Sequence, residues 1–170
     1  MASLKDRMVG AALLNIQIYE EVEADTTATA QAGMVVIIAA IAGAVGSYSL
    51  GPTAAISHLV MALLGWLIWA GVTYLIGVHV FGGTATWGEL LRTLGFAHAP
   101  AVFYVLGIIP VIGSLFTFAA MVWMLVCGII AIRQALDFST GKAVLTALLG
   151  WLVLIIPSMI LGRMFMTVSV

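Results

Sequence analysis

Glu89, Arg92 and His98 lie within one largely apolar stretch, and their types and spacing offer the chain its clearest opportunity for chemistry. Glu89 and Arg92 are three apart, a helical-neighbour spacing that gives an exposed ion pair worth about 0.3 kcal/mol. His98 follows Arg92 by six residues, roughly 9 Å further along a helix, and directly precedes Ala99-Pro100. An ionisable group at such depth in an apolar segment is costly unless it meets a partner or a polar cavity, and carbonyls freed by Pro100 supply such a surface. The three residues therefore form a candidate intramembrane polar site. The plainer alternative is an interfacial ion pair plus a histidine hydrogen-bonded at a kink.

A second cluster, Glu20, Glu21, Glu23 and Asp25, is a candidate cytosolic partner surface. Glu20 and Glu23 alone do not make a cation-coordination pattern, and a solvated acidic collar is the simpler account. His58 and His79 are 21 residues apart in another apolar stretch. That is about 32 Å of helix, which predicts one imidazole at each membrane interface, with Trp66 and Trp69 packing between them. Other motifs fail. Gly141-Lys142 lacks both the earlier glycine and the following Ser or Thr of a phosphate loop, and neither a His-Glu-x-x-His zinc helix nor a Gly-x-Ser-x-Gly elbow occurs. The single Cys127 excludes an intrachain disulfide. No cofactor, metal or enzymatic activity is expected.

These residues sit in a chain of 170 residues that is 64% hydrophobic and only 8% charged, with a mean hydropathy of +1.22. Soluble domains carry about 25% charged residues, so the composition calls for an apolar solvent. A net charge of −1 provides no field for a nucleic-acid backbone. The predicted fold class is all-α: a polytopic membrane helical bundle of about five transmembrane helices, preceded by an amphipathic interfacial helix. The predicted organisation is an amino-terminal helix and linker over 1–30 and a membrane domain over 31–170.

Residues 4–24 read as one retained amphipathic helix rather than a signal peptide, because Asn15, Gln17 and the following acids interrupt any apolar core. Asp25 is placed to cap the next helix. Spans are predicted at 33–49, 54–81, 86–109, 112–136 and 142–166, the third kinked or broken at Pro100 and the fifth carrying Pro157. Ala39/Gly43 and Ala42/Gly46 put small residues at four-residue spacing for close helix contact. Lys5, Arg7, Arg92, Arg133 and Lys142 fall on one side of this topology and Arg163 on the other. The positive-inside rule then predicts a cytoplasmic amino terminus and an outside carboxyl terminus.

The stretches from Tyr19-Glu20-Glu21-Val22-Glu23 to Gln31-Ala32, Arg92-Thr93-Leu94-Gly95-Phe96-Ala97-His98-Ala99-Pro100, Gly107-Ile108-Ile109-Pro110-Val111-Ile112-Gly113, and Arg133 through Ala143 together resemble the Yip-domain family. These are small five-span membrane proteins named for interaction with Ypt/Rab GTPases. The resemblance covers nearly the whole chain and implies an integral membrane scaffold or adaptor with a cytosolic amino end. Its eukaryotic members act in vesicle transport and bind prenylated Rab-type GTPases. Here the long amino-terminal region and the Asp-Leu-Tyr-Gly-Pro signature are missing, so a Rab-type partner is not expected. The short form resembles bacterial or archaeal members, which implies residence in the cell membrane. The expected function is a non-enzymatic scaffold organising lipid or protein partners in the bilayer, with a membrane-protein partner or a second copy among them. The alternative is a small transporter or channel whose polar path runs along the broken third span.

Overall fold

The computed structural model describes residues 2–153, and they are helical nearly throughout. The chain runs through α1 (Leu4–Ala12), α2 (Ile16–Ala24), α3 (Ala28–Gly46), α4 (Pro52–Tyr74), α5 (Trp87–Ala97), α6 (Gly113–Ala135) and α7 (Thr140–Val153). A short 3₁₀ turn, Tyr48–Leu50, follows α3, a π-helical turn, Leu75–Val80, prolongs α4, and a 3₁₀ segment, Ala99–Ile108, follows α5.

Three helices are long and apolar enough to cross a membrane: Ala28–Gly46, Pro52–Val80 and Gly113–Ala135. Trp87–Ala97 and Ala99–Ile108 form a fourth candidate as a broken span bent by 40°. The bend falls where the sequence places it. Pro100 cannot donate to the preceding turn, so the chain leaves α-helical geometry at His98 and continues with 3₁₀ bonds. The fifth predicted span is described only as far as Val153; its Pro157 and Arg163 lie outside the described residues. Exposed Ile37, Ile41, Leu64, Leu67 and Phe118 are what a bilayer-facing surface requires.

The predicted single helix over 4–24 is instead a hairpin. Leu14 adopts a left-handed conformation (φ +60°), and Asn15 then caps α2 by accepting from the Gln17 N–H at 3.0 Å. An asparagine with non-helical backbone offers its side chain to a new helix, and that local bond outweighs continuation of the first. Asp25 also differs from expectation. It ends α2 and accepts from the Thr27 backbone N–H (2.9 Å) and hydroxyl (2.6 Å), while Thr27 is the residue that precedes α3.

At the centre, α3 packs against the 99–108 segment, α4 and α5, while α6 packs against the 99–108 segment and α5. The small residues of α3 permit this. A Cβ at Gly46 would run into the backbone carbonyl of Tyr104, and one at Gly43 into the His58 imidazole. The predicted close contact through Ala42/Gly46 and Ala39/Gly43 is thus made within the chain. Trp69 is seated between Gly128 of α6 and Gly150 of α7, and Trp66 donates from its indole to the Leu91 carbonyl at 3.0 Å.

Candidate functional site

The hairpin α1–α2 docks on α5 and α6 through its backbone carbonyls. The last carbonyls of a helix have no partner inside it. In α1, the Ala11 carbonyl accepts from the Tyr19 hydroxyl (3.1 Å) and the Cys127 thiol (3.5 Å), and the Ala12 carbonyl accepts from the Trp123 indole (2.7 Å). In α2, the carbonyls of Val22 and Glu23 accept from Arg92 Nε at 3.0 and 3.2 Å, and Glu23 also accepts from Nη2. A cation at a helix carboxyl end is further favoured by the helix dipole. Arg92 is buried, and its side-chain hydrogen bonds among the described residues go to these backbone carbonyls.

Glu89 and Arg92 therefore do not form the predicted ion pair. Glu89 faces its own helix start, accepting from the Thr86 N–H at 2.7 Å while its N–H donates to the Thr86 hydroxyl at 3.3 Å. This reciprocal capping box uses the carboxylate locally.

The charge-bearing pairs among the described residues belong to Arg7. Its side chain is 1% exposed and donates to Glu21 (2.7 Å from Nη2, 3.2 Å from Nε), to Asp25 (2.7 Å) and to the amide oxygen of Gln31 (3.0 Å). One planar fork thereby ties α1 to α2, to the loop and to α3. Burial works against the Arg7 charge, but the bonds it donates to Glu21 and Asp25 outweigh it and leave its pKa raised. Glu21 is held below the usual carboxylate range by its bond from Arg7, and Asp25 is brought down to about 2 by the Thr27 hydroxyl and then Arg7.

The acidic cluster is consequently not one uniform surface. Glu21 and Asp25 are committed to Arg7, and Glu20 is exposed and accepts from the Gln134 amide at 3.1 Å. Glu23 is half-buried, and its carboxyl is pushed up to about 7, first by burial and then by the charges of Glu89 and Asp137. These contacts, with Thr84 on Asp137 and Lys142 on the Phe81 carbonyl, gather the charged residues of the described chain at one end of the bundle.

His98 lies away from this end. Its Nδ1 is 2.8 Å from the Leu94 carbonyl. A carbonyl only accepts, so Nδ1 carries the proton and Nε2 is left as an acceptor. His98 lines a cavity of about 230 Å³ together with His58, Trp66, Trp69 and Tyr104. A neighbouring cavity of about 290 Å³ shares His58 and Tyr104 and is bordered by Ser47, Ser49, Ser114 and Thr117. The candidate trio is thus divided: Arg92 and Glu89 serve the hairpin end, and His98 serves a cavity.

His58, about one turn and a half into α4, borders both cavities. It sits half-buried in the notch at Gly43, edge-on to Tyr104 with ring centroids 5.8 Å apart. His79 is exposed and packs edge-on to Tyr74. The sequence carried no marker for Tyr104, since its role follows from the bend that turns the 99–108 segment onto α3. No group of three or more potential metal ligands occurs among the described residues.

A family model described as Yip1 domain matches residues 11–161 of the chain. No curated protein and no solved structure matches it.

Proposed function

This chain belongs to the Yip1 domain family, and from that premise we propose that it is a non-enzymatic membrane scaffold, related to membrane-trafficking proteins, that organises protein or lipid partners at its charged end. The observation that carries this reading is the docked hairpin. Both of its helices have their terminal carbonyls bonded by side chains, several of them from the bundle, so α1–α2 is a fixed platform rather than a loose tail. Exposed Val9, Leu13 and Ile16 on the hairpin, beside exposed Lys5 and Glu20, give that platform the mixed surface of an interfacial element. The resemblance to short bacterial or archaeal members supports a cell-membrane location, and the positive-inside rule for Lys5, Arg7, Arg92, Arg133 and Lys142 supports placing this end in the cytoplasm. Its proposed partners are the lipid bilayer and a membrane protein or a second copy of the chain, rather than a Rab-type GTPase.

The test is crosslinking in native membranes followed by affinity capture, comparing the full chain with one lacking residues 2–24. The scaffold reading expects specific partners to disappear with the hairpin while the bundle still inserts. Retention of every partner would count against it.

One observation favours the transporter alternative, namely the cavity at His98 in the broken span. Its measure is solute flux in reconstituted vesicles, where His98→Ala should alter the flux between pH 5 and 8 if the cavity is a path. Glu89 and Arg92 are engaged elsewhere, and Glu89→Gln should leave such a flux unchanged.

A further inference from the structure

The two cavities differ in chemistry and share a wall. The larger is bordered by the hydroxyls of Ser47, Ser49, Ser114 and Thr117 at the end of the bundle opposite Arg7 and Arg92. Ser47 and Thr117 donate to carbonyls of their own helices, Gly43 at 2.8 Å and Gly113 at 3.0 Å, so towards the cavity their oxygens are acceptors. Among the described residues Ser49, Ser114, His58 and Tyr104 make no side-chain hydrogen bond. The smaller cavity runs inward from His58 and Tyr104 and is walled by Met61, Trp66, Trp69 and Met124, with His98 at its side. No charged side chain among the described residues borders either one.

Hydroxyl groups at the outer end, those of Ser49 and Ser114 exposed, and aromatic and thioether walls further in match the orientation of an amphiphile in the nearer leaflet, head at the interface and chain towards the midplane. An ionised headgroup would be desolvated without a counter-charge, which is costly in this setting. A group rich in hydroxyls supplies donors to the free acceptors, and about 290 Å³ accommodates a small polyol, given roughly 30 Å³ for one water.

We propose that these adjoining cavities bind an uncharged, hydroxyl-bearing lipid of the monoacylglycerol type that passes between them at His58 and Tyr104, its glycerol hydroxyls bonded among Ser49, His58, Tyr104 and Ser114 and the start of its chain lying against Trp66 and Trp69. The proposal rests on the scaffold reading in one respect: the lipid is held, not transformed. It concerns the end of the bundle away from the hairpin, so its failure leaves the hairpin-deletion experiment untouched, and the reverse also holds.

The experiment uses the full chain in phosphatidylcholine vesicles containing a monoacylglycerol that carries a diazirine near the head of its chain, with labelled residues mapped by mass spectrometry. The expected result is saturable labelling of the segments around Met61 and Met124. Excess unlabelled monoacylglycerol should suppress it, and phosphatidylglycerol at the same concentration should not. Tyr104→Phe, which keeps the ring, should weaken competition about tenfold, as expected for one hydrogen bond at the upper end of its usual worth. Ser114→Phe should abolish the saturable component. If Ser114→Phe fails to insert, Tyr104→Phe decides alone. Labelling that does not saturate, that spreads equally over bilayer-facing residues such as Ile37 and Leu67, that phosphatidylglycerol suppresses equally, or that Tyr104→Phe leaves unchanged would overturn the proposal.

Discussion

Arg92 of α5 donates from Nε to the main-chain carbonyl of Val22, 3.0 Å away and 70 positions earlier in the chain. A buried guanidinium thereby closes the end of a helix to which its own element is not otherwise tied by charge. The arrangement makes Arg92 the pin between the amino-terminal hairpin and the broken span.

Replacing Arg92 with methionine keeps most of the side-chain volume and removes every donor. The carbonyls of Val22 and Glu23 are then left without their partner, at a cost of about 2–3 kcal/mol for bonds from a charged donor. Hydrogen exchange in residues 16–24 should accelerate while exchange in α3 and α6 stays protected. Equal acceleration throughout would show that Arg92 supports the whole bundle rather than the hairpin.

Arg7→Lys tests whether geometry or charge holds α1. A lysine retains the charge, but it is a point donor and does not reach Glu21, Asp25 and Gln31 in the planar fork that Arg7 uses. Limited proteolysis after Lys5 should be faster in Arg7→Lys by about tenfold, and Arg7→Ala should be no more than modestly worse. A wild-type rate in Arg7→Lys would assign the effect to charge alone.

The pH dependence of hairpin docking has two limbs of opposite sign. Glu23 is held at about 7 by burial and by Glu89 and Asp137, above its ordinary value, with Glu20 adding to and Arg92 opposing the shift. Its contribution is therefore complete below the unfolded carboxyl pKa and is lost as pH rises through about 7. Glu21 and Asp25 are lowered by Arg7 and Thr27, so their contribution is present above the ordinary carboxyl range and is lost as pH falls through their folded values, about 2 for Asp25. Resistance of the hairpin to denaturant should accordingly peak in mildly acidic buffer and decline towards pH 8. Glu23→Gln should flatten the alkaline limb and leave the acid limb in place. An unchanged alkaline limb would remove Glu23 from the account.

Gly46→Ala and Gly65→Ala make a matched pair. A Cβ at Gly46 meets the Tyr104 backbone carbonyl, which cannot rotate away, whereas nothing lies within 4 Å of a Cβ at Gly65. Separation of α3 from the 99–108 segment should cost about 1–3 kcal/mol in unfolding measured by detergent titration. Gly65→Ala should match or slightly exceed the parent, since alanine is the better helix former. Equal stability of the two variants would mean that α3 and the 99–108 segment yield to each other.

Long uncharged runs, Gly51-Pro52, Gly82-Gly83 and Pro100 determine by themselves that this chain is a membrane-embedded α-helical protein, where its long helices begin and end, and that the segment after Trp87 is broken. Hydropathy and missing backbone donors are local properties, legible residue by residue. The hairpin was only half legible: Asn15 interrupts the apolar stripe, but a single left-handed Leu14 decides that the chain reverses there, and leucine carries no signal for that conformation. The partners of Arg92 are main-chain carbonyls, which every residue possesses, so no pattern of side-chain types announces them. Only the tertiary structure separates His98 from Glu89 and Arg92, because the bend at Pro100 turns the imidazole towards His58 and Tyr104 while the helix before it keeps its charges at the opposite end. Linear spacing measures distance along one axis, and a broken helix has two.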